Sequence, residues 1–412
     1  MFPNLNQEMT IKPLIHMKNN NCNPLRKCLC CNSTDLKIVL DLNSQPLANS
    51  YLKSKSDNED EFPLAINFCK NCTHIQLTHA VDPDKLFRDY LYVSGTTKTL
   101  KEYFDWFVDF TEKFTKNKNV LDIACNDGTQ LDSYKARGYS THGIDPAKNL
   151  YELSSKKEHS IVCDYLTKES INKFNINFDV IIAQNVFAHN ANPKGFLETC
   201  KERLSEDGYI FIQTSQADMI LNNQFDTIYH EHISFFSVKS FCSLAKRSGL
   251  NVVEVVRTPV HGTSFVFVLS KKEKCKSEEF IKKEINLTIE RMEQYSALCK
   301  KIATDTFVKI QELKKDGYKI IGYGAAAKGN TFLNFSKIDL DYIIDDNELK
   351  QNLYTPGSKI KITSIDELGN ESGKICIVPL AWNFFEEIKN RICKKTNKKI
   401  NFIKYFPEVQ FI

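Results

Sequence analysis

The chain has 412 residues, 42% of them hydrophobic and 26% charged, with a formal net charge of +4. That length calls for two or three domains, and so small a net charge with scattered lysines excludes nucleic acid as an expected partner. No apolar run approaches a membrane span, and the opening MFPNLNQEMTIKPLIHMKNNN lacks the basic start and apolar middle of a signal peptide. The expectation is therefore a cytosolic protein with no membrane and no obligatory protein partner.

Fourteen cysteines in a reducing compartment read as thiols, metal ligands or small core residues rather than disulfides. After a tail over 1–22, a first domain over 23–85 carries Cys28-x-x-Cys31 and Cys69-x-x-Cys72. Two such pairs supply four thiolates, enough for a closed tetrahedral zinc site that holds a fold and leaves no position open for chemistry. The gap between the pairs is long for a zinc ribbon, so the strand-like SDLKIVLDL and the polar SKSDNED must fit inside it. Cys30 is the spare thiol. Buried cysteines without metal are the alternative.

A second domain over 86–272 alternates strand-like and helical stretches: NVLDIA, STHGID, SIVCD, FDVIIAQNV and GYIFIQT with polar amphipathic segments between them. This alternation predicts an α/β fold with a parallel sheet covered on both faces, whose ligands bind at the carboxyl ends of the strands. A third domain over 273–412 opens on the helical SEEFIKKEINLTIERMEQYSALCKKI. It then passes through YKIIGYGAAAKGNTFLNF, a strand, glycine turn and helix, into further strands as a smaller α/β unit.

VLDIACNDGTQL has the shape of a class I methyltransferase loop, with Asp122, Ala124, Cys125, Asn126 and Gly128 along it and only one of the usual glycines kept. The next strand ends at Asp145, where a carboxylate can accept ribose hydroxyls, and the third at Asp164, which can meet an adenine amino group. A dinucleotide needs glycines so that backbone amides can approach its pyrophosphate. An acidic, glycine-poor loop suits S-adenosylmethionine instead, because that cofactor has no phosphate and carries positive charge. Aspartates that only cap helices are the alternative.

FDTIYHEHISFF, residues 225–236, sets a tyrosine, two histidines and a glutamate side by side. A metal site lacks the helical HExxH spacing and a further ligand. An acid/base site and a hydrogen-bonded core both stay open on the residues alone.

Taken together, the paired CxxC knuckles, YVSGTT, the CNDG loop, AQNVFAH, NQFDTIYHEHISFFS, HGTS and GYGAAAKGNT resemble the C-methyltransferases of nucleotide-linked keto-deoxysugars, from about residue 25 to the end. The resemblance implies a zinc-binding amino-terminal part, a Rossmann-like methyltransferase core, and a carboxy-terminal Rossmann-like domain that helps enclose the nucleotide sugar. It implies a proton taken from the carbon beside a sugar ketone, C-3 of a 4-keto sugar, by His232, with methyl transfer from S-adenosylmethionine to that carbon. It assigns Glu231 to a sugar hydroxyl or amine or to a neighbouring imidazole, and Tyr229 and His189 to the enolate or the sugar. Ser94, Thr96, Gln184 and Asn185 would meet the cofactor; Tyr90, Tyr92, His261, Ser264, Tyr323, Lys328 and Asn330 would meet the nucleotide sugar. The glycine turn at 322–329 reads equally as a tight strand-helix joint. Departures from the family fall at IQTSQ, with Gln213, Ser215 and Gln216, and at HGTSF, where Val266 replaces an arginine. Both put the particular sugar and the methylated position in question. Methyl transfer to oxygen or nitrogen, an NAD-dependent sugar oxidoreductase, and a zinc-stabilised carbohydrate-binding scaffold are the competing functions.

Overall fold

The computed structural model describes residues 21–87, 98–215, 219–258, 264–272, 275–284, 286–396 and 398–412. In the amino-terminal module β1 (Leu36–Pro46) and β2 (Glu61–Cys69) form an antiparallel pair, and β3 (Ile75–Leu77) continues it. The polar SKSDNED stretch joins β1 to β2. One carboxylate oxygen of Asp57 accepts the backbone N–H groups of Lys53 and Ser54, which closes the turn locally. The first CxxC pair lies before β1, while Cys69 ends β2 and Cys72 sits in the turn to β3, so one hairpin brings both knuckles to one end.

The central unit contains β4 (Asn119–Ile123), β5 (Ser140–Ile144), β6 (Ser160–Val162), β7 (Phe178–Gln184) and β8 (Leu204–Ser215), then β9 (Ser234–Phe235), β10 (Asn251–Thr258) and β11 (Ser264–Ser270). Its sheet runs β6-β5-β4-β7-β8-β11-β10. The first five are parallel, whereas β11 is antiparallel to both β8 and β10. The expected all-parallel sheet thus gains an antiparallel edge, which strand-helix alternation cannot signal because a hairpin-like return has no crossover helix. NVVEVVRT and SFVFVLS had the composition for it: every residue of β11 is buried, as in a strand covered on both faces.

The carboxy-terminal unit is entered through a 27-residue helix, Ile289–Lys315, whose N-terminal amide of Arg291 is capped by the Thr288 side chain. Met292, Tyr295, Cys299, Ile302, Ala303, Ile310 and Leu313 recur at helical spacing along its buried face. Next come β12 (Tyr318–Tyr323), β13 (Tyr342–Ile344), β14 (Ile362–Thr363), β15 (Lys374–Pro379), β16 (Ile400–Lys404) and β17 (Gln410–Phe411). They are ordered β14-β13-β12-β15-β16-β17, parallel except for β17.

The three parts share one core. A single buried cluster joins Val39, Leu64 and Leu77 from the amino-terminal module to Met219, Phe225 and Ile228, and to Met292, Ile320 and Phe332 of the carboxy-terminal unit. β9 pairs with β3, so the segment following the YHEH run becomes the fourth strand of the amino-terminal sheet, in the order β9-β3-β2-β1. That run is therefore threaded through the meeting point of all three units.

Candidate active site

The amino-terminal cluster is built first. The sulfurs of Cys28, Cys31, Cys69 and Cys72 all lie within 4.8 Å of one another, with Cys28–Cys72 and Cys31–Cys69 both at 3.5 Å. A tetrahedron of Zn–S bonds separates its sulfurs by about 3.8 Å, so the four thiols fit a zinc ion. Among the described residues no other histidine, cysteine or acidic group joins such a cluster, and Cys30, although fully buried, is not part of the set. This is a four-cysteine zinc site.

The second centre lies at the carboxyl ends of β4, β5 and β7. Ala124, Asn126 and Gly128 all have positive φ, at 60°, 52° and 76°, which coils the loop after β4 tightly. Asp145 holds that coil: one carboxylate oxygen accepts the N–H of Asn126 at 2.9 Å and the other that of Ala147 at 2.9 Å. Asp164 sits alongside, its N–H donated to the Asp145 carbonyl. Asp122 is buried, and burial, with the charges of Asp145 and Asp127 beside it, pushes its carboxyl well above the usual carboxylate range. Burial likewise raises Asp145. At the end of β7, Gln184 donates to Gln130 at 2.8 Å, which leaves its own buried carbonyl oxygen without a partner. Asn185, at φ 54°, gives its N–H to the side-chain oxygen of Gln213, whose buried amide nitrogen has no acceptor. Clustered carboxylates at strand ends beside orphaned amide groups fit a ligand that is positively charged and rich in polar groups, as S-adenosylmethionine is. Cys125 contributes backbone alone: its side chain is packed in the core beneath, where a Cβ on Gly143 would come within 2.6 Å of its sulfur.

The third centre is the YHEH run, whose four side chains go to four places. His230 points away into the amino-terminal module, where its Nε2 meets the Phe62 carbonyl at 3.1 Å and burial pushes it down to about 4. Glu231 is 4% exposed, takes a 2.6 Å hydrogen bond from the Asn49 amide, and is pushed up to about 7 by burial. His232 is held at both nitrogens: Nδ1 lies 2.8 Å from the Thr227 carbonyl and Nε2 lies 2.8 Å from the Tyr229 hydroxyl. A carbonyl can only accept, so Nδ1 carries the proton and Nε2 presents the basic lone pair. His189 faces His232 with ring centroids 5.1 Å apart and stacks on Phe87. Partly open to solvent yet deep among protein atoms, it is pushed down to about 4 by desolvation. The structure brings Tyr229, His232 and His189 together, while the Glu231 side chain meets Asn49.

Other expected contacts are dispersed. Tyr90, Tyr92, Ser94, Thr96 and His261 lie outside the described residues. Ser264 is fully buried at the start of β11. Tyr323 does not join the site: strand alternation turns it to the opposite sheet face from Ile320, where its hydroxyl donates to Asp346 at 3.0 Å. Asn330 donates to the Ala48 carbonyl at 2.7 Å and so meets the amino-terminal module. Lys328 lies over the Trp382 ring at 5.4 Å. Trp382 in turn donates to Asp226 at 2.6 Å, a fully buried carboxylate pushed up to about 6 by burial, against the pull of the Lys328 charge. Sequence reasoning missed Asp226, Trp382 and Asn49. Asp226 stood six residues before His232 in the same polar run; Asn49 carried no signal, because its partner lies 182 residues away.

Comparison with known proteins bears on this arrangement. Three family models match in succession: a putative zinc binding domain over residues 28–87, a methyltransferase domain over 96–255, and a C-methyltransferase C-terminal domain over 259–407. The chain belongs to the C-methyltransferase family. It is 28% identical over 410 residues to the C-methyltransferase NovU of Streptomyces niveus, covering 94% of this chain and 97% of that protein. A ubiquinone biosynthesis O-methyltransferase of Glaesserella parasuis matches over 107 residues at 32% identity, 24% of this chain and 45% of that protein. Among solved structures, an S-adenosylmethionine-dependent methyltransferase from Clostridium acetobutylicum aligns with 42% of this chain and 92% of its own, at 13% identity and a TM-score of 0.35. By its family models and its NovU relative, this C-methyltransferase is S-adenosylmethionine-dependent, with a zinc-bearing module ahead of its core. No described helix is long and apolar enough to cross a membrane.

Proposed function

We propose that this C-methyltransferase acts on a nucleotide-linked keto-deoxysugar, removing a proton from the carbon beside the ketone, C-3 of a 4-keto sugar, and methylating that carbon. The observation that carries the reading is the His232 geometry, an imidazole with Nδ1 turned to the Thr227 carbonyl and Nε2 turned to a tyrosine hydroxyl. Forming a carbon nucleophile beside a ketone needs a positioned base and a hydrogen-bond donor for the developing enolate oxygen. His232 supplies the base. Tyr229, released from Nε2 as that nitrogen takes the proton, supplies the donor, and His189 completes the wall of the same pocket. Asp145, Asp122, Gln184 and Asn185 form the cofactor crevice, and bound there S-adenosylmethionine supplies an electrophilic methyl group. Lys328 and Trp382 offer a cation and a ring to the nucleotide part of the substrate.

The NAD-dependent alternative loses its main support in the glycine turn. A Cβ on Gly324 would come within 2.7 Å of Ala381, and one on Gly329 within 2.8 Å of Leu380, so these glycines are accounted for by close internal packing. The carbonyl of Ala325, in the same turn, is covered by the Tyr51 hydroxyl and the Lys350 ammonium. The cytosol is the proposed compartment, in keeping with fourteen cysteines of which none is paired in a disulfide.

The test is exchange in deuterated water with demethylated cofactor bound. Wild-type protein is expected to wash one ring hydrogen out of an accepted keto sugar, read by mass spectrometry, and His232→Ala to stop the exchange. Methylated product formed with no exchange in any accepted sugar would count against the carbanion route.

A further inference from the structure

Segment 47–52 of the zinc module does more than close a turn. Its Ala48 carbonyl accepts from Asn330, its Tyr51 hydroxyl donates to the Ala325 carbonyl, and Leu52 bridges to Tyr354, so the segment is tied down on the carboxy-terminal unit at three points. Between those ties Asn49 reaches the methyltransferase core and donates to Glu231 at 2.6 Å. The contrast in exposure matters: Asn49 is an exposed residue, while Glu231 is 4% exposed. Asn49 thus links the solvent-facing zinc module to a carboxylate that is itself nearly closed off from solvent.

We infer that Asn49 is a positioning residue for the substrate carboxylate of this enzyme: it fixes one oxygen of Glu231, so that the other is presented to a hydroxyl or amine of the bound sugar. The zinc module thereby forms part of the active site and is not only a folding device. This rests on the reading of Glu231 as a substrate contact. The physical basis is that an amide N–H donated to a carboxylate stabilises the charged form, which in a desolvated position is otherwise disfavoured. The titratable groups around Glu231 are Tyr51 from the zinc module, Lys350 and Asp345 behind that ring, and His230 and His232 on its own loop. None of these donates to the carboxylate in place of Asn49.

The experiment uses the full chain with zinc bound and compares wild type, Asn49→Ala and Glu231→Gln. Infrared difference spectra between wild type and Glu231→Gln isolate the Glu231 carboxyl band, which is then followed against pH. In Asn49→Ala the band is expected to titrate about one pH unit higher, since one charge-assisted hydrogen bond is lost. kcat/KM for the accepted keto sugar should fall about fivefold at pH 7 and recover most of the loss by pH 9, where the carboxylate forms without help. Zinc content and affinity for S-adenosylmethionine should stay at wild-type values, because Asn49 touches neither site. A Glu231 band that titrates identically in Asn49→Ala and wild type overturns the inference, as does a rate loss that is equal at pH 7 and pH 9. Should wild type neither methylate nor exchange any keto sugar, the substrate reading falls whatever the band does, so the two failures are told apart.

Discussion

The central and carboxy-terminal units use one backbone device for different ends. In each, a strand runs into a tight turn and a helix, and the next strand ends in an aspartate that holds the turn. Asp145 accepts from the N–H groups of Asn126 and Ala147; Asp345 accepts from those of Ala325 at 2.7 Å and Asn347 at 2.8 Å. What surrounds the device differs. The first turn is acidic, with Asp122, Asp127 and Asp145 gathered around it and buried amides of Gln184 and Gln213 left unsatisfied nearby. The second is pressed against Leu380 and Ala381 and roofed by Tyr51 and Lys350. A strand-turn-helix with a terminal carboxylate is therefore shared scaffolding, and the two copies differ in the charge and the covering around them.

Four changes break or sharpen that contrast. The largest effect is expected from Cys69→Ser, which removes a zinc ligand from the module that roofs the second turn. Metal analysis should show lost zinc, thermal unfolding should move sharply downward, and hydrogen exchange should speed up at residues 325–330. His232→Ala comes next, with a loss of methylation of about a thousandfold and cofactor affinity close to wild type by calorimetry, since His232 lies outside the first turn. The paired substitutions Asp145→Ala and Asp345→Ala test the comparison directly. The first should weaken S-adenosylmethionine binding at least tenfold, while the second should leave it unchanged and cost about 1–3 kcal/mol of stability from the unsatisfied N–H groups. Equal losses of cofactor affinity in both would refute the division of labour.

The smallest effect is a matter of pH. Glu231 in the folded protein is pushed up to about 7 by burial, so the folded state holds its proton more tightly than the unfolded chain does. Stability contributed by that proton is present below the ordinary carboxylate range and is lost as pH rises from about 4.5 through about 7. Glu231→Gln should therefore raise stability toward wild type plus about 3 kcal/mol at pH 8 and change it little at pH 4, read from urea unfolding midpoints.

Much of the fold was legible because it rests on local patterns. The two CxxC pairs announced four thiols at knuckle spacing, and they converge as four sulfurs within 4.8 Å. Apolar runs such as FDVIIAQ and KICIVP read as buried strands because sheets covered on both faces leave no polar side to alternate with. The site was legible in part. Tyr229 and His232 sit three residues apart on one loop, and their 2.8 Å contact follows from that proximity. The contact of Tyr323 with Asp346 was not legible in the same way, because it depends on which sheet face the strand turns that side chain to.

By itself, the sequence determined the zinc ligands, the three-part order, the acidic character of the loop after β4 and the clustering of tyrosine, histidine and glutamate in the YHEH run, because each depends on residue types at short separations. Tertiary structure alone decided which distant partners the side chains of the FDTIYHEH run meet. It sent His230 to Phe62, Glu231 to Asn49 and Asp226 to Trp382, across 168, 182 and 156 residues. Contacts of that kind are set by how three separately folded surfaces are pressed into one core, and no local pattern of hydrophobicity or charge encodes them.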